Sequence, residues 1–198
     1  MSLDRRLTFL AAAAAVGVLT LPALAAGGLA RADFAGGCYW TIERDFEHVP
    51  GVVRAVSGFE GGTTPRPTYE DHTGYLETVQ VYYDPSKITY RQLVDHYWRF
   101  IDPTDDRGQA CDRGPTYRSA IFVATPRERA DAEASKAAID QGKLKGRIAV
   151  RILPQSQFWR GPEDHQGYAR KHSIEYNTYR VGCGRDTLLR QIWGSAPA

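Results

Sequence analysis

Apolar positions recur along this chain in patterns that mark out the elements of one domain. Tyr39, Trp40, Ile42, Phe46 and Val49 follow helical spacing and predict a helix over 38–48. Thr89 to Ile101 reads the same way, with Leu93, Val94, Tyr97, Trp98 and Ile101 on one stripe, the core-facing side of a second helix. Residues 126–141 predict a third. Val52 to Phe59 and the partly alternating Leu76 to Tyr83, which stops at Asp84-Pro85, predict strands. Ala32–Ala35, Arg118–Ala124 and 147–153 add three shorter ones. Pro50-Gly51 turns the chain, and Glu60 to Pro67 is a Gly/Thr/Pro loop. Asp102 to Thr116 is a long loop rich in Asp, Gly and Arg, a kind that is usually functional when ordered. From Pro154 to Ala198 the pattern is loop-rich, with short helical pieces near 162–170 and 186–193. Helices and strands mix without a strict βαβ repeat, so the fold class is α+β: one domain with a mixed β-sheet flanked by helices.

The first residues differ. Arg5 and Arg6 precede an apolar, alanine-rich stretch from Leu7 to about Ala26, and Ala23-Leu24-Ala25 offers a small-residue cleavage site. Residues 1–25 are therefore read as a signal peptide. A second site, Ala30-Arg31-Ala32, would extend it to 32 and leave too little chain for a strand before Cys38. The folded domain is taken as 33–198. The Arg5-Arg6 pair suggests twin-arginine export, although its spacing to Phe9 is imperfect. An uncleaved membrane anchor is the alternative, since the stretch is nearly long enough to span a bilayer. Either reading places the domain outside the cytoplasm, in a periplasmic or other extracytoplasmic space.

Composition narrows the partners. A formal charge of +2 with scattered basic residues gives no stripe for nucleic acid, and none is expected. Cys38, Cys111 and Cys183 are an odd number of thiols for an oxidising compartment, which argues for redox or nucleophilic chemistry over a disulfide scaffold. His48, His72, His96, His165 and His172 show no ligand spacing with one another or with the cysteines, so no metal site is expected.

Cys38 carries the chemistry. Gly36-Gly37 lets the backbone turn sharply, placing the thiol on the first turn of the 38–48 helix, where free N–H groups favour a thiolate. An unperturbed thiol is only about 3% ionised at pH 7, and a helix N-terminus contributes roughly 0.3–2 kcal/mol, so a neighbour or the substrate must complete the activation. Glu77 lies inside an otherwise apolar strand. It either faces solvent or enters a pocket with Tyr39 and Trp40, where desolvation would keep it partly protonated. Tyr69, Tyr117 and Asp112 lie in or beside loops, each able to meet a ligand or simply the surface.

Taken in order, these residues resemble a family. Gly36-Gly37-Cys38-Tyr39-Trp40 with Glu43 is similar to the signature of the class A peptide-methionine sulfoxide reductases. The resemblance continues through Val49-Pro50-Gly51-Val52, Ser57-Gly58-Phe59-Glu60-Gly61-Gly62, Pro65-Arg66-Pro67-Thr68-Tyr69 and Gly74-Tyr75-Leu76-Glu77. It resumes at Tyr117-Arg118-Ser119-Ala120-Ile121-Phe122, Glu163-Asp164-His165-Gln166 and Cys183-Gly184-Arg185-Asp186. It spans nearly everything after residue 33. It implies a ferredoxin-like α/β plait and an enzyme that reduces the S epimer of methionine sulfoxide, free or in proteins. Cys38 would attack sulfur, Glu77 would protonate the oxygen with help from Tyr69 and Tyr117, Tyr39 and Trp40 would cradle the methyl group, and Asp112 would support placement. A sulfenic acid on Cys38 would pass to a disulfide and then to thioredoxin or a similar external dithiol, with no bound cofactor, in a protein expected to be a monomer.

Three positions depart from the family pattern. Tyr39 replaces Phe, Thr41 stands where many relatives carry a second Cys, and the segment from Tyr69 to Glu77 is short. The resolving residue is then Cys183, between two glycines in an apparently flexible tail, or Cys111 beside Asp112. A structural Cys111–Cys183 bond is the third possibility. Two rival readings are a cysteine hydrolase pairing Cys38 with His165 or His172, and a binding domain whose cysteines are structural.

Overall fold

The computed structural model describes residues 28–142, 144 and 146–194. The signal-peptide reading of residues 1–25 and the anchor alternative lie outside them. Among the described residues, no helix is long and apolar enough to cross a membrane.

The chain runs β1 (Ala30–Ala35), α1 (Tyr39–Glu47), β2 (Val52–Glu60), β3 (Leu76–Tyr83), α2 (Tyr90–Arg99) and, after a small hairpin, β6 (Ala120–Val123). The hairpin is β4 (Gly108–Gln109) and β5 (Asp112–Arg113), followed by a 3₁₀ turn at Pro115–Tyr117. Beyond β6 come α3 (Pro126–Asp140), β7 (Arg151–Pro154), β8 (Trp159–Arg160), a 3₁₀ turn at Glu163–His165, α4 (Tyr168–Lys171), α5 (Ser173–Gly182) and α6 (Arg185–Trp193). The main sheet has the order β7-β6-β1-β3-β2-β8. Its four central strands are antiparallel neighbours and α1 and α2 are the crossovers, which is the expected plait. β7 joins β6 in parallel, and that makes the sheet mixed.

Local signals explain where helices start. Thr89 and Gln92 close a capping box at α2, and the Thr125 side chain accepts from the Glu128 amide above Pro126 at α3. α1 has no such cap. Its first amides are satisfied by the functional groups described below.

α1 and α2 cover one face of the sheet. Phe34 of β1 stacks between Phe46 of α1, at 4.8 Å, and Tyr97 of α2, at 5.2 Å, in a core that also buries Ile42, Val79, Val81, Leu93 and Ile101. Strand alternation decides the orientation of Glu77. It is in phase with Val79 and Val81, so it points into this helix-covered face while Leu76, Thr78 and Gln80 point to the other.

The sequence-predicted boundaries hold to within a few residues except at two places. The strand expected at 147–153 begins only at Arg151. The C-terminal segment carries more helix than expected, because α5 fills a stretch read as loop.

Candidate active site

Cys38 is the residue immediately before α1, buried in the angle between this helix and β3. Gly37 makes the turn possible. It has φ of +88°, and a Cβ there would stand 2.7 Å from the Gln109 side chain and 3.0 Å from Arg185 Nη1. Arg185 itself is buried and donates to the carbonyls of Gly36, at 3.0 Å, and Phe100, at 2.8 Å, fixing the turn from beneath.

The free amides of the first helical turn then meet reactive groups. Tyr39 N–H donates to Glu77 Oε2 at 2.8 Å and Thr41 N–H to the Cys38 carbonyl at 3.1 Å, while the Trp40 amide lies near enough to the Cys38 sulfur to favour its charged form. Thiol and carboxyl therefore share one helix terminus. Thr41, at the position of the missing second cysteine, turns its hydroxyl to the Cys38 carbonyl at 2.7 Å.

Burial dominates the electrostatics. Glu77 is 2% exposed, and desolvation pushes its pKa up to about 8, with the Tyr39 amide opposing and the Asp112 charge adding to the rise. The Cys38 thiol is pushed well above its ordinary range, first by burial and then by the charges of Glu77 and Asp112; the Trp40 amide and the Tyr179 hydroxyl only partly counter this. Burial thus outweighs the contribution expected of the helix terminus, and the neighbouring acids oppose ionisation instead of completing it. Both shifts favour the protonated forms at neutral pH.

The structure brings the other predicted residues to the same place. Tyr69, from the β2–β3 loop, and Tyr117, from the 3₁₀ turn after β5, both feel the charges of Glu77 and Cys38, and burial raises both phenols. Tyr39 is buried, with its hydroxyl 2.7 Å from His165 Nδ1 and its ring beside Phe59. Trp40 stacks flat on Tyr168 with ring centroids 3.8 Å apart. Asp112 accepts from the Tyr179 hydroxyl at 2.6 Å.

Cys111 and Cys183 form a disulfide with Cα atoms 5.0 Å apart, and Cys38 is free. Of the three pairings left open by the sequence, this is the third. Cys183 does not lie in a flexible tail. It is the C-terminal cap of α5, its N–H donating to the Tyr179 carbonyl at 2.8 Å. Cys111, Asp112 and Cys183 converge closely enough to suggest a metal site, but with the two sulfurs joined only the carboxylate is left to offer.

Sequence reasoning missed four contributors. Tyr179 lay in the stretch read as loop, and Tyr168, inside the short helical piece expected near 162–170, was given no role. His165 was considered only as a base for Cys38, yet it serves Tyr39 and packs edge-on against Tyr69 at 4.4 Å. Glu43 appeared only as part of a motif. It is buried, accepts from the Gly167 amide at 2.9 Å, and has its pKa raised to about 7 by desolvation. Gln166 completes that hold, exchanging hydrogen bonds with the Ser57 backbone at 3.0 and 2.9 Å. Together they fasten the 161–167 loop, and with it His165, against α1 and β2.

The fold and this thiol–carboxyl site define a thiol-dependent reductase, and the comparisons identify its kind. A family model described as peptide methionine sulfoxide reductase matches residues 30–197, and the chain belongs to that family. It is 47% identical over 194 residues to peptide methionine sulfoxide reductase MsrA 2 of Caulobacter vibrioides, covering 96% of this chain and 98% of that protein. Methionine sulfoxide reductase A of Corynebacterium diphtheriae superposes with a TM-score of 0.66 at 35% identity, over 74% of this chain and 76% of that one. Mxr1 from Saccharomyces cerevisiae, solved in complex with Trx2, superposes with a TM-score of 0.53 at 25% identity, over 76% and 91%.

The raised Glu77 pKa has a consequence for stability. A carboxyl that stays protonated when folded but ionises near 4.5 when unfolded contributes stability fully below that value and loses it as pH rises through about 8. Glu77→Gln keeps an acceptor for the Tyr39 amide without that loss. Urea titration is expected to show the variant gaining on the wild type between pH 5 and pH 9; a constant difference across that range would contradict the protonated, buried carboxyl.

Proposed function

We propose that this protein reduces methionine sulfoxide, free or within proteins, that it takes the S epimer, and that Cys38 and Glu77 do the chemistry. One observation carries the residue assignment: a buried thiol and a buried, protonated carboxyl share the first turn of α1. A sulfoxide oxygen is a poor leaving group until protonated, so the reaction needs a sulfur nucleophile and a proton donor side by side. The Cys38 thiolate attacks the substrate sulfur while Glu77 gives its proton to the oxygen. The oxygen moves to Cys38 as a sulfenic acid, the thioether leaves, and Glu77 becomes a carboxylate to be reprotonated from solvent. Trp40, held flat by Tyr168, and the Tyr39 ring supply the apolar wall for the methyl group, and Tyr69 and Tyr117 donate to the oxygen. No step calls for a bound cofactor.

The hydrolase alternative requires a hydrogen bond from Cys38 to a histidine. His165 Nδ1 is engaged with the Tyr39 hydroxyl, and His172 stacks on Tyr168. Sulfoxide reduction driven by dithiothreitol is the decisive assay. The wild type is expected to turn over and Cys38→Ser to fall to background; a Cys38→Ser protein with wild-type activity would end this reading.

Recycling runs through the outer cysteines. α5 holds Cys183 in place, whereas Cys111 sits in the β4–β5 turn, after Ala110 with φ of +50° and next to Asp112. Cys111 therefore attacks the sulfenic acid and water leaves. Cys183 then displaces Cys38, restoring its thiol and leaving the Cys111–Cys183 disulfide. A thioredoxin-like dithiol reduces that bond, in keeping with the Mxr1 complex with Trx2. Single-turnover mass spectrometry tests the order. Cys183→Ser is expected to stop at a Cys38–Cys111 disulfide, and Cys111→Ser at a sulfenic acid that dimedone traps. A Cys38–Cys183 disulfide in Cys111→Ser would reverse it.

Export follows from the leader pattern. Cleavage after Ala25 is favoured over Ala32 by pairing, because β1 already aligns Ala30 with Tyr83 and Ala32 with Val81. N-terminal sequencing of the protein from a periplasmic fraction is expected to begin at Ala26. An intact N-terminus in the soluble cytoplasmic fraction would refute export.

A further inference from the structure

Reduction demands that protons be handled in opposite directions within one small space. Glu77 must keep its proton for the departing oxygen, and Cys38 must lose its own before it attacks. Cys38 keeps 7% exposure and burial raises its thiol, so a neighbouring group that accepts the proton eases its ionisation.

Tyr179 stands between the sulfur and the nearest acid on the solvent side. Its hydroxyl donates to Asp112 Oδ2 at 2.6 Å and its ring lies edge-on to Trp40 at 6.0 Å, which places the phenol beside the Cys38 sulfur, close enough for each group to shift the other's pKa. The neighbouring Arg180 is buried and binds Asp45 of α1 at 2.9 Å, Asp186 of α6 at 2.8 Å and the Tyr176 hydroxyl at 2.8 Å. This anchor does not pass through the cysteines, so Tyr179 is held in place whether or not the outer disulfide is formed. The other groups facing the sulfur are Glu77 from β3, Tyr39 from α1, and the Tyr69 and Tyr117 phenols. Among the described residues, Tyr179 is the one that joins the sulfur to a carboxylate other than Glu77.

We propose that Tyr179 is a catalytic residue of this site, whose phenolic oxygen takes the Cys38 thiol proton as its own proton passes to Asp112. The step balances within the protein. A thiol and a carboxylate become a thiolate and a carboxylic acid; one S–H and one phenolic O–H bond break, and a new phenolic O–H and a carboxyl O–H form. The hydroxyl then points back at the thiolate and stabilises it. Asp112 returns its proton to solvent from its half-buried position at the rim. The purpose of the relay rests on the reductase reading, but its chemistry does not.

The test exploits a cysteine count of three: Cys111→Ser with Cys183→Ser leaves Cys38 as the sole thiol. Alkylation of that protein by iodoacetamide, followed against pH, reports thiolate formation with or without reductase activity. Adding Tyr179→Phe keeps the ring against Trp40 and removes the hydroxyl. The profile is expected to move up by about one pH unit, with alkylation near neutral pH and single-turnover sulfoxide reduction each slowed about tenfold. An unchanged alkylation profile overturns the proposal. Asp112→Asn gives an independent reading should the phenylalanine variant fail to fold. Loss of its charge is expected to shift the profile down while reduction nonetheless slows; a downward shift with equal or faster reduction also overturns it. A wild type that alkylates as described but does not reduce sulfoxides would remove the reductase reading and leave the Tyr179 result standing.

Discussion

A single hydrogen bond, from the first amide of α1 to the Glu77 carboxyl, ties the crossover helix to the central strand at the point where the chemistry occurs. Burying a carboxyl in an apolar face is costly unless it is neutral or well bonded, and here it is both. The neutral form limits the desolvation cost, and the amide that it accepts from would otherwise be an orphan of the helix start. The same terminus carries Cys38 as its N-cap residue, with the Trp40 amide beside the sulfur and the Cys38 carbonyl accepting from Thr41. Helix capping and catalytic placement are thus one arrangement. The absence of a Ser, Thr, Asp or Asn cap on α1, alongside the well-capped α2 and α3, is the structural trace of that double use.

Around this point the C-terminal third of the chain acts as a set of braces. Glu43 and Gln166 pin the 161–167 loop to α1 and β2, which brings His165 to Tyr39. Arg180 is buried between Asp45 and Asp186, and removing one partner of such a pair typically costs about 3–5 kcal/mol because the other charge is stranded. Arg185 supports the Gly36-Gly37 turn through two backbone carbonyls. These braces start from α5, α6 or the loop before α4, and end on α1, on the turn that feeds it or on the adjoining β2. The late segments of the chain therefore set the geometry of its earliest functional residue.

Much of this was legible in the sequence, and the gaps have physical causes. The α+β class and its main elements were readable because the strands and crossover helices carry strong apolar periodicity, whereas the plait itself came only with the family resemblance. Glu77 looked ambiguous among apolar neighbours, yet its phase with Val79 and Val81 pointed to the core face. α5 escaped because its pattern is inverted: it buries Tyr176 and Arg180, while Ile174 and Val181 are 79% and 78% exposed. A helix docked by a buried arginine has no apolar stripe to read. Missing it hid Tyr179 and made Cys183 look mobile. The β4–β5 hairpin was equally silent, since strands of two residues leave no period.

A buried, protonated nucleophile is also a consistent resting state for a protein that works among oxidants. A thiolate exposed to peroxide is oxidised in proportion to its ionised fraction and its access, and Cys38 in the empty site offers little of either. On the proposed mechanism, ionisation is favoured further when a sulfoxide engages Glu77, because that substrate presents an electron-poor sulfur and draws the acidic proton onto its oxygen. On the proposed route the oxidising equivalent then moves outward to the joined Cys111 and Cys183, where Cys111 is open to solvent. Separating the concealed sulfur that reacts from the accessible pair that is recycled lets one small domain discriminate between its substrate and the oxidants that produced it.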